Sequence, residues 1–222
     1  MVENTFFFSK EHLIVLLIFA IFLYFCPRLT RNLLPYSYIV EKIICGLIIL
    51  EIVFEQVSIV SMGSYDVFTS LPIGLSRFCA YICIAILFFK QYQLFNIFFS
   101  WSIVCAVGEL IFFPDLGYRF PNILYYLDIF AKFILIYANV YLMEVRKFKV
   151  SNTAIKENLM MCVAYFSFIF ILNTITASHY SYSFSNFNIL SILIFMLVTT
   201  IVYIPSLIFD NNDKIYKLKR RK

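Results

Sequence analysis

Long apolar stretches alternate with short polar connections along almost the whole chain. A membrane-spanning helix needs roughly 20 mainly apolar residues, because each residue adds about 1.5 Å along the axis and the hydrocarbon core is about 30 Å thick. Seven stretches of about this length lie at about 7–26, 37–61, 71–90, 92–113, 122–144, 157–178 and 188–209. The pattern predicts an all-α polytopic membrane protein with seven transmembrane helices.

The positions of Lys and Arg predict the orientation of these helices. Cytoplasmic loops retain basic residues, whereas loops that must cross the membrane tend to lack them. With the N-terminus outside, 14 of the 18 basic residues fall on the inner side. They are Arg28, Arg31, Lys42, Lys90, Arg146, Lys147, Lys149, Lys156, Lys214, Lys217, Lys219, Arg220, Arg221 and Lys222. The sequence therefore predicts an N-out, C-in topology.

Composition agrees with a membrane environment and bounds the domain organisation. Hydrophobic residues make up 62% of the 222, which leaves little polar material to cover a soluble domain. We expect one transmembrane domain, residues 1–210, followed by a basic cytoplasmic tail, residues 211–222. The abundance of Phe, Ile, Tyr, Asn and Lys is typical of AT-rich bacterial genomes, so a bacterial plasma membrane is the expected location. The tail carries most of the net charge of +5 and can attract anionic lipid headgroups, and no nucleic-acid partner is expected.

The six cysteines all lie inside apolar stretches, where they behave as small hydrophobic residues. Cys79 and Cys83 are four residues apart and share a helix face, which is a spacing that a metal site can use. No His, Asp or further Cys lies near them in the sequence, so ordinary helix packing is the simpler interpretation. We expect no disulfide framework, no metal and no cofactor.

Polar and ionisable residues inside the apolar stretches are the best guide to function. A charge at bilayer depth costs at least about 2.5–3.5 kcal/mol on insertion scales and usually faces a partner or a water-filled cavity. In the predicted topology these residues lie towards the outer ends of six helices. They are His12, Glu55, Ser76, Arg77, Glu109, Asp128, Lys132 and His179. We therefore expect one outward-facing polar pocket.

Two pairs of these residues have the i, i+4 spacing of neighbours on a helix face. Asp128 precedes Lys132 by four residues, which predicts an ion pair of Lys132 with Asp128 or with Glu109, although Lys132 can also handle protons or activate a nucleophile. Glu51 and Glu55 share a face of the second helix and can pair with Arg77 or with Lys132. A proton relay or a cation site is the alternative to this interhelical pairing.

A succession of short motifs gives a resemblance to a known family. The motifs are Phe8–Leu13, Leu71–Arg77, Pro114-Asp115, Phe120-Pro121, the run from Lys132 to Tyr141-Leu142, and Asn173 through His179-Tyr180-Ser181-Tyr182. In their order and spacing the chain resembles the YwaF family of small bacterial integral membrane proteins over nearly its whole length. Animal transmembrane acyltransferases that remodel ether phospholipids are related to that family.

The resemblance implies a seven-helix bundle with an outward- or lumen-facing polar site. In the related acyltransferases it implies a Cys nucleophile and a His partner that take an acyl chain from a phospholipid. In this sequence Ser76 stands at the position of that Cys and Lys132 at the position of the helix 5 His, while Gly74 replaces a second His and His179 replaces an Asn. The residues that match the family pattern are His12, Pro114 and Asp115.

The substituted site leaves three functions open. In the first, the acyl-transfer site is altered or inactive, and the protein is a non-enzymatic lipid-binding or membrane-complex component with membrane phospholipids and an unidentified membrane protein as partners. In the second, Ser76 and Lys132 form a new dyad in which a neutral lysine accepts the serine proton. Asp128, one turn away, opposes this dyad because it favours the charged lysine. In the third, the polar zone lines a pathway for a small solute or an ion, although no inverted repeat is visible.

Our hypothesis is a multi-pass membrane protein of a family linked to phospholipid acyl transfer, with altered chemistry at its outward-facing pocket. The candidate catalytic residues are Ser76, Lys132 and His12. The remaining expected pocket residues are Asp128, Arg77, Glu55, Glu109, Asp115, His179 and Tyr180.

Overall fold

The computed structural model describes residues 10–63, 65–66, 70–112, 122–176 and 189–205. These ranges contain helices and short turns and no β-strand. The helices are α1 (Lys10–Asn32), α2 (Ser37–Ser61), α3 (Leu75–Leu87), α4 (Phe95–Ser102), α5 (Gly108–Phe112), α6 (Ile123–Val140), α7 (Ala154–Thr176) and α8 (Ile189–Ile201). A π-helical turn, Ile103–Val107, joins α4 to α5, and a second, Tyr141–Val145, extends α6. The described residues therefore form seven helical rods.

Five of these rods are long and apolar enough to cross a membrane, judged by length and composition. They contain the segments Leu13–Asn32, Ser37–Ser61, Tyr92–Leu110, Ile123–Val145 and Ala154–Ile175. Two further apolar helices, Leu75–Leu87 and Ile189–Pro205, are shorter. Many large apolar side chains point outwards, among them Leu17, Phe25, Val163 and Ile175. The all-helical prediction is confirmed, and the apolar exterior agrees with lipid as the surrounding solvent.

The first helix ends later than predicted. The predicted apolar interval was about 7–26, which stops just before Pro27. In the structure α1 continues through Pro27 to Asn32. The Thr30 hydroxyl donates to the carbonyl oxygens of Cys26 and Pro27 at 2.9 and 3.1 Å, which is a local side-chain bond near the end of the helix.

The third helix is shorter than predicted at both ends. The interval 71–90 becomes α3, Leu75–Leu87, which has 13 residues. Pro72 lies in the turn before the helix. Beyond its end, Lys90 has a φ of 59°, a left-handed conformation that an α-helix cannot continue through. The Lys90 ammonium donates to the Leu87 carbonyl at 2.8 Å, and this bond satisfies a carbonyl at the helix C-terminus.

The rod formed by α4, the first π-helical turn and α5 lies at the centre of the molecule. In the apolar window of Tyr92–Leu110, 67% of residues are buried, compared with 11% in the window of Leu13–Asn32. Helix α4 packs against α3, α6, α7 and α8, while α2 packs mainly against α6. Rings of Phe78, Trp101, Tyr165 and Phe195 meet in the core between these helices.

Buried polar side chains also join the helices of this core. Asn158 of α7 accepts a hydrogen bond from Trp101 Nε1 of α4 at 2.7 Å and donates to Thr199 Oγ1 of α8 at 3.0 Å. Ser100 and Tyr203 share a hydroxyl hydrogen bond of 2.6 Å. In hydrocarbon an unsatisfied polar group costs several kcal/mol, so these bonds fix how α4, α7 and α8 pack together.

Candidate functional site

A cavity of about 190 Å³ lies between α2, α3, α5 and α6. Part of its wall is apolar and is formed by residues such as Ile48, Leu75 and Leu135. Its polar lining residues are Glu51, Glu55, Ser76, Arg77, Glu109, Asp128 and Lys132. Glu55 and Asp128 are 23% and 24% exposed, so the polar side of the cavity opens to the exterior. We call this space the α2–α6 cavity.

Lys132 is the most deeply buried base of the α2–α6 cavity, with only 2% of its side chain exposed. It lies in α6, one turn after Asp128, and the predicted ion pair between these two residues is confirmed. Lys132 Nζ also lies 3.5 Å from Glu109 Oε2 of α5. The start of α6 is fixed by Asn122, whose side chain accepts a hydrogen bond from the Leu124 backbone N–H at 2.9 Å.

Glu109 connects Lys132 to Ser76. The Ser76 hydroxyl, in the first turn of α3, donates to Glu109 Oε1 at 2.8 Å. Glu109 follows the π-helical turn Ile103–Val107, and such a turn re-aims the side chains that come after it. The local backbone therefore directs Glu109 towards both the serine and the lysine.

Arg77 forms a second charged network beside the first. Its guanidinium pairs with both carboxylate oxygens of Glu51, with Nη2 2.8 Å from Oε1, and Nη2 also lies 2.7 Å from Glu55 Oε2. The spacing of Glu51 and Glu55 left Arg77 and Lys132 open as their partner, and the structure pairs both with Arg77. A planar guanidinium suits this arrangement because it presents several donors in fixed directions.

The α2–α6 cavity carries more acid than base. Four carboxylates, those of Glu51, Glu55, Glu109 and Asp128, face two bases, Arg77 and Lys132. Every one of these side chains takes part in at least one ion pair. The residues are thus held by charge pairing across four helices, which is a strong positioning interaction where water is scarce.

Ser76 and Lys132 line the same cavity but are not directly bonded to each other. In the described part of the chain, Ser76 donates to Glu109, and Lys132 pairs with Asp128 and Glu109. A Ser–Lys dyad requires a lysine nitrogen that can accept the serine proton. A lysine ammonium that pairs with two carboxylates has no lone pair available for that step.

Four of the sequence-predicted residues cannot be placed in the α2–α6 cavity. His12 belongs to α1, but its side chain lies outside the described residues. Asp115, His179 and Tyr180 also lie outside the described residues. The predicted residues that the structure brings together are Ser76, Arg77, Glu55, Glu109, Asp128 and Lys132.

The cysteines have no role in the α2–α6 cavity. All six are free, and Cys79 and Cys83 are buried in the core. Across the ranges that the structure describes, no group of three or more His, Cys, Asp or Glu side chains is arranged to hold a metal ion.

Comparison with known protein families gives a match over most of the chain. A family model described as the TMEM164 family matches residues 7–209, an interval that includes all eight helices and every residue that lines the α2–α6 cavity. The predicted resemblance to a family of integral membrane proteins is thus supported, with TMEM164 rather than YwaF as the matching model. Comparisons with curated proteins and with solved structures found no match. The chain belongs to the TMEM164 family.

Proposed function

We propose that this chain is a multi-pass plasma-membrane protein whose α2–α6 cavity receives one polar group of a membrane phospholipid, without acyl transfer by a Ser76–Lys132 dyad. In this proposal all seven helices cross the membrane, with the N-terminus outside, the C-terminus inside and the cavity facing outwards. The observation that carries the proposal is the pairing of Lys132 with Asp128 and Glu109, while Ser76 donates to Glu109.

The size of the α2–α6 cavity limits what can enter it. Pockets that enclose a drug-sized ligand measure about 300–1,000 Å³, whereas this cavity measures about 190 Å³. It can hold a headgroup or an ester but not a whole phospholipid. The acyl chains would remain outside, against exposed apolar side chains such as those of Val53 and Phe130.

The resemblance to phospholipid acyltransferases supports a lipid as the ligand. The substitutions at the two reactive positions support the loss of the original chemistry, because a serine hydroxyl is a much weaker nucleophile than a thiolate unless a base activates it.

Lipid binding in the α2–α6 cavity can be tested by filling the cavity. Ala131 lines it, so Ala131→Leu should occupy the space of the headgroup. Ala20→Leu is the matched control, because Ala20 is exposed on α1. The readout is phospholipid retained by the purified protein in native mass spectrometry. We expect the native chain and Ala20→Leu to retain a lipid that Ala131→Leu loses, whereas equal retention by all three would contradict the proposal.

A second candidate function is acyl transfer through Ser76 and Glu109, which the hydrogen bond of 2.8 Å between them favours. In this reaction Ser76 Oγ attacks the ester carbonyl carbon of a phospholipid while the Glu109 carboxylate takes the hydroxyl proton. The bond from that carbonyl carbon to the glycerol oxygen then breaks, and the glycerol oxygen takes the proton from Glu109. A lysophospholipid leaves and the acyl chain stays on Ser76. Attack by a second lysophospholipid would reverse these steps and complete the transfer.

Intact mass spectrometry after incubation with mixed phospholipids separates the candidates. The proposal expects no acyl adduct on the native chain. An adduct that Ser76→Ala and Glu109→Gln lose, but that the control Ser61→Ala retains, would establish the second candidate. An adduct that survives in Glu109→Gln but disappears in Lys132→Met would establish the Ser–Lys dyad. Thermal unfolding of each variant shows whether a lost adduct reflects a lost fold.

A further inference from the structure

A second buried charge cluster lies on α2, far from the α2–α6 cavity. Its centre is Glu41, which is 2% exposed and precedes Glu51 by ten residues, or roughly 15 Å along the helix. Lys90 donates to the Glu41 carboxylate, and Arg146 Nε lies 3.0 Å from Glu41 Oε1. Two bases from different connections therefore meet one buried acid.

A third cation, Lys42, lies beside Lys90 at the ring of Tyr38. Lys42 Nζ is 4.3 Å from the centre of the Tyr38 ring, and Lys90 Nζ is 5.7 Å from the same centre. Within the described ranges no carboxylate pairs with Lys42, so its ammonium is held by the ring alone. Lys42, Lys90 and Arg146 thus outnumber Glu41, and this end of the bundle has an excess of positive charge. We call these four residues with Tyr38 the Glu41 cluster.

The connections that deliver the two bases to Glu41 have strained backbones. Lys90 has a φ of 59°, and Lys147, which follows Arg146, has a φ of 57°. A left-handed conformation is costly for a residue with a side chain and persists where the surroundings enforce it, often at binding sites. Both connections that supply a base to the Glu41 cluster contain such a left-handed residue.

The cations of the Glu41 cluster remain accessible next to apolar surface. The side chains of Lys90 and Arg146 are 37% and 29% exposed. Phe88 and Phe89, which precede Lys90, are largely exposed, and the Tyr38 ring is exposed as well. A positive group that adjoins exposed aromatic surface suits a ligand with an anionic head and an apolar body.

We propose that the Glu41 cluster binds the phosphate of an anionic phospholipid. Lys42 and the guanidinium of Arg146 would donate to the phosphate oxygens, and the negative charge of the lipid would reduce the positive excess around Glu41. Arg146 Nη1 makes only a long contact of 3.4 Å with Ser37 Oγ, so it can turn to a better acceptor. This site is independent of the function proposed for the α2–α6 cavity.

The test compares two lysines with the same charge at the same end of the molecule. Lys42→Gln removes the cation of the Glu41 cluster that pairs with no carboxylate of the described ranges. Lys147→Gln is the matched control, because Lys147 is exposed and pairs weakly with Glu144 at 3.9 Å. The readout is the affinity of the full chain for phosphatidylglycerol and for phosphatidylcholine in native mass spectrometry.

We expect the native chain to prefer phosphatidylglycerol over phosphatidylcholine. Lys42→Gln should weaken binding of phosphatidylglycerol about fivefold, the effect of one basic residue near an anionic lipid. Lys147→Gln should change the affinity by less than about twofold, and Lys42→Arg should preserve it. Equal losses in the Lys42→Gln and Lys147→Gln variants, or equal affinity of the native chain for both lipids, would overturn the proposal. Displacement of the lipid by excess inorganic phosphate would identify a site for the free anion and would also overturn it.

Discussion

Lys132 pairs with two carboxylates, Asp128 and Glu109, which differ in their exposure and in their other hydrogen bonds. Asp128 is partly exposed and can turn towards water, whereas Glu109 is 12% exposed and bonded to Ser76. If Asp128 is lost, Lys132 keeps Glu109 as a partner. If Lys132 is lost, Asp128 and Glu109 lose the base that they share, and Arg77 is the remaining base of the α2–α6 cavity. Loss of Lys132 should therefore lower the stability of the protein more than loss of Asp128.

We predict that Lys132→Met destabilises the protein by about 3–5 kcal/mol, the cost of leaving a buried charge without its partner. Asp128→Asn should cost less, about 1–2 kcal/mol, because Glu109 still pairs with Lys132. Unfolding of detergent-solubilised protein measures both changes. Glu144→Gln is the control, because it removes an exposed pair that contributes less than about 1 kcal/mol. Equal destabilisation by Lys132→Met and Asp128→Asn would show that Glu109 does not support Lys132.

Pairing within a helix could be predicted from the sequence, whereas pairing between helices could be predicted only as a choice of partners, as for Glu51 and Glu55 with Arg77 or Lys132. The spacing of Asp128 and Lys132 predicted their contact because neighbours at i, i+4 meet on any regular helix. The contact of Glu109 with Ser76 depends on the π-helical turn after Ser102, for which the sequence shows no signal. The Glu41 cluster went unrecognised for a similar reason, since Lys90 and Arg146 come from connections far apart in the chain.

At the scale of the helices, α4 determines how the others are arranged. It is buried on most sides and carries Trp101, whose indole bonds to α7 through Asn158, which in turn bonds to α8. Two hydrogen bonds through one side chain thus hold three helices in register. Apolar packing alone would leave this register less defined, because lipid is as apolar as the helix surfaces.

We predict that Asn158→Leu lowers the free energy of unfolding by about 1–2 kcal/mol, since hydrogen bonds between membrane helices contribute about 0.6 kcal/mol on average and at most about 1.7. The substitution should also leave the Trp101 indole without its acceptor. Asn152→Ala is the matched control, because Asn152 is exposed in the turn before α7. Unfolding in detergent measures stability, and a change in Trp101 fluorescence reports on the indole. An unchanged stability would show that apolar packing alone sets the register.

Helix positions followed from hydropathy, and helix ends were less predictable. The interval 37–61 coincides with α2, and the interval 122–144 agrees closely with Ile123–Val145. The end of α1 was wrong because the helix continues through Pro27 to Asn32. The end of α3 was wrong because the helix ends at Leu87 and Lys90 beyond it is left-handed, a conformation for which the sequence gives no signal.

For the whole molecule, the distribution of basic residues predicts one orientation in the membrane. We expect a green fluorescent protein fused to Lys222 to fluoresce and an alkaline phosphatase fused there to be inactive, since the C-terminus is predicted to be cytoplasmic. Truncated fusions at Gly63, in a predicted outer connection, are the control and should show the opposite pair of activities. Active phosphatase at Lys222 would reverse the orientation and place the α2–α6 cavity on the inner side.

In the proposed seven-span arrangement, the short helix α3 would also affect the membrane around it. Its 13 residues extend about 20 Å, whereas the hydrocarbon core is about 30 Å thick. A bilayer meets such a hydrophobic mismatch by thinning locally. Thinning would draw the headgroup layers towards both ends of α3, where Ser76 and Arg77 lie in the first turn and Lys90 follows the end. Both proposed lipid sites would then adjoin the same thin patch, and the acyl-chain length of the host membrane would determine how easily headgroups reach either one.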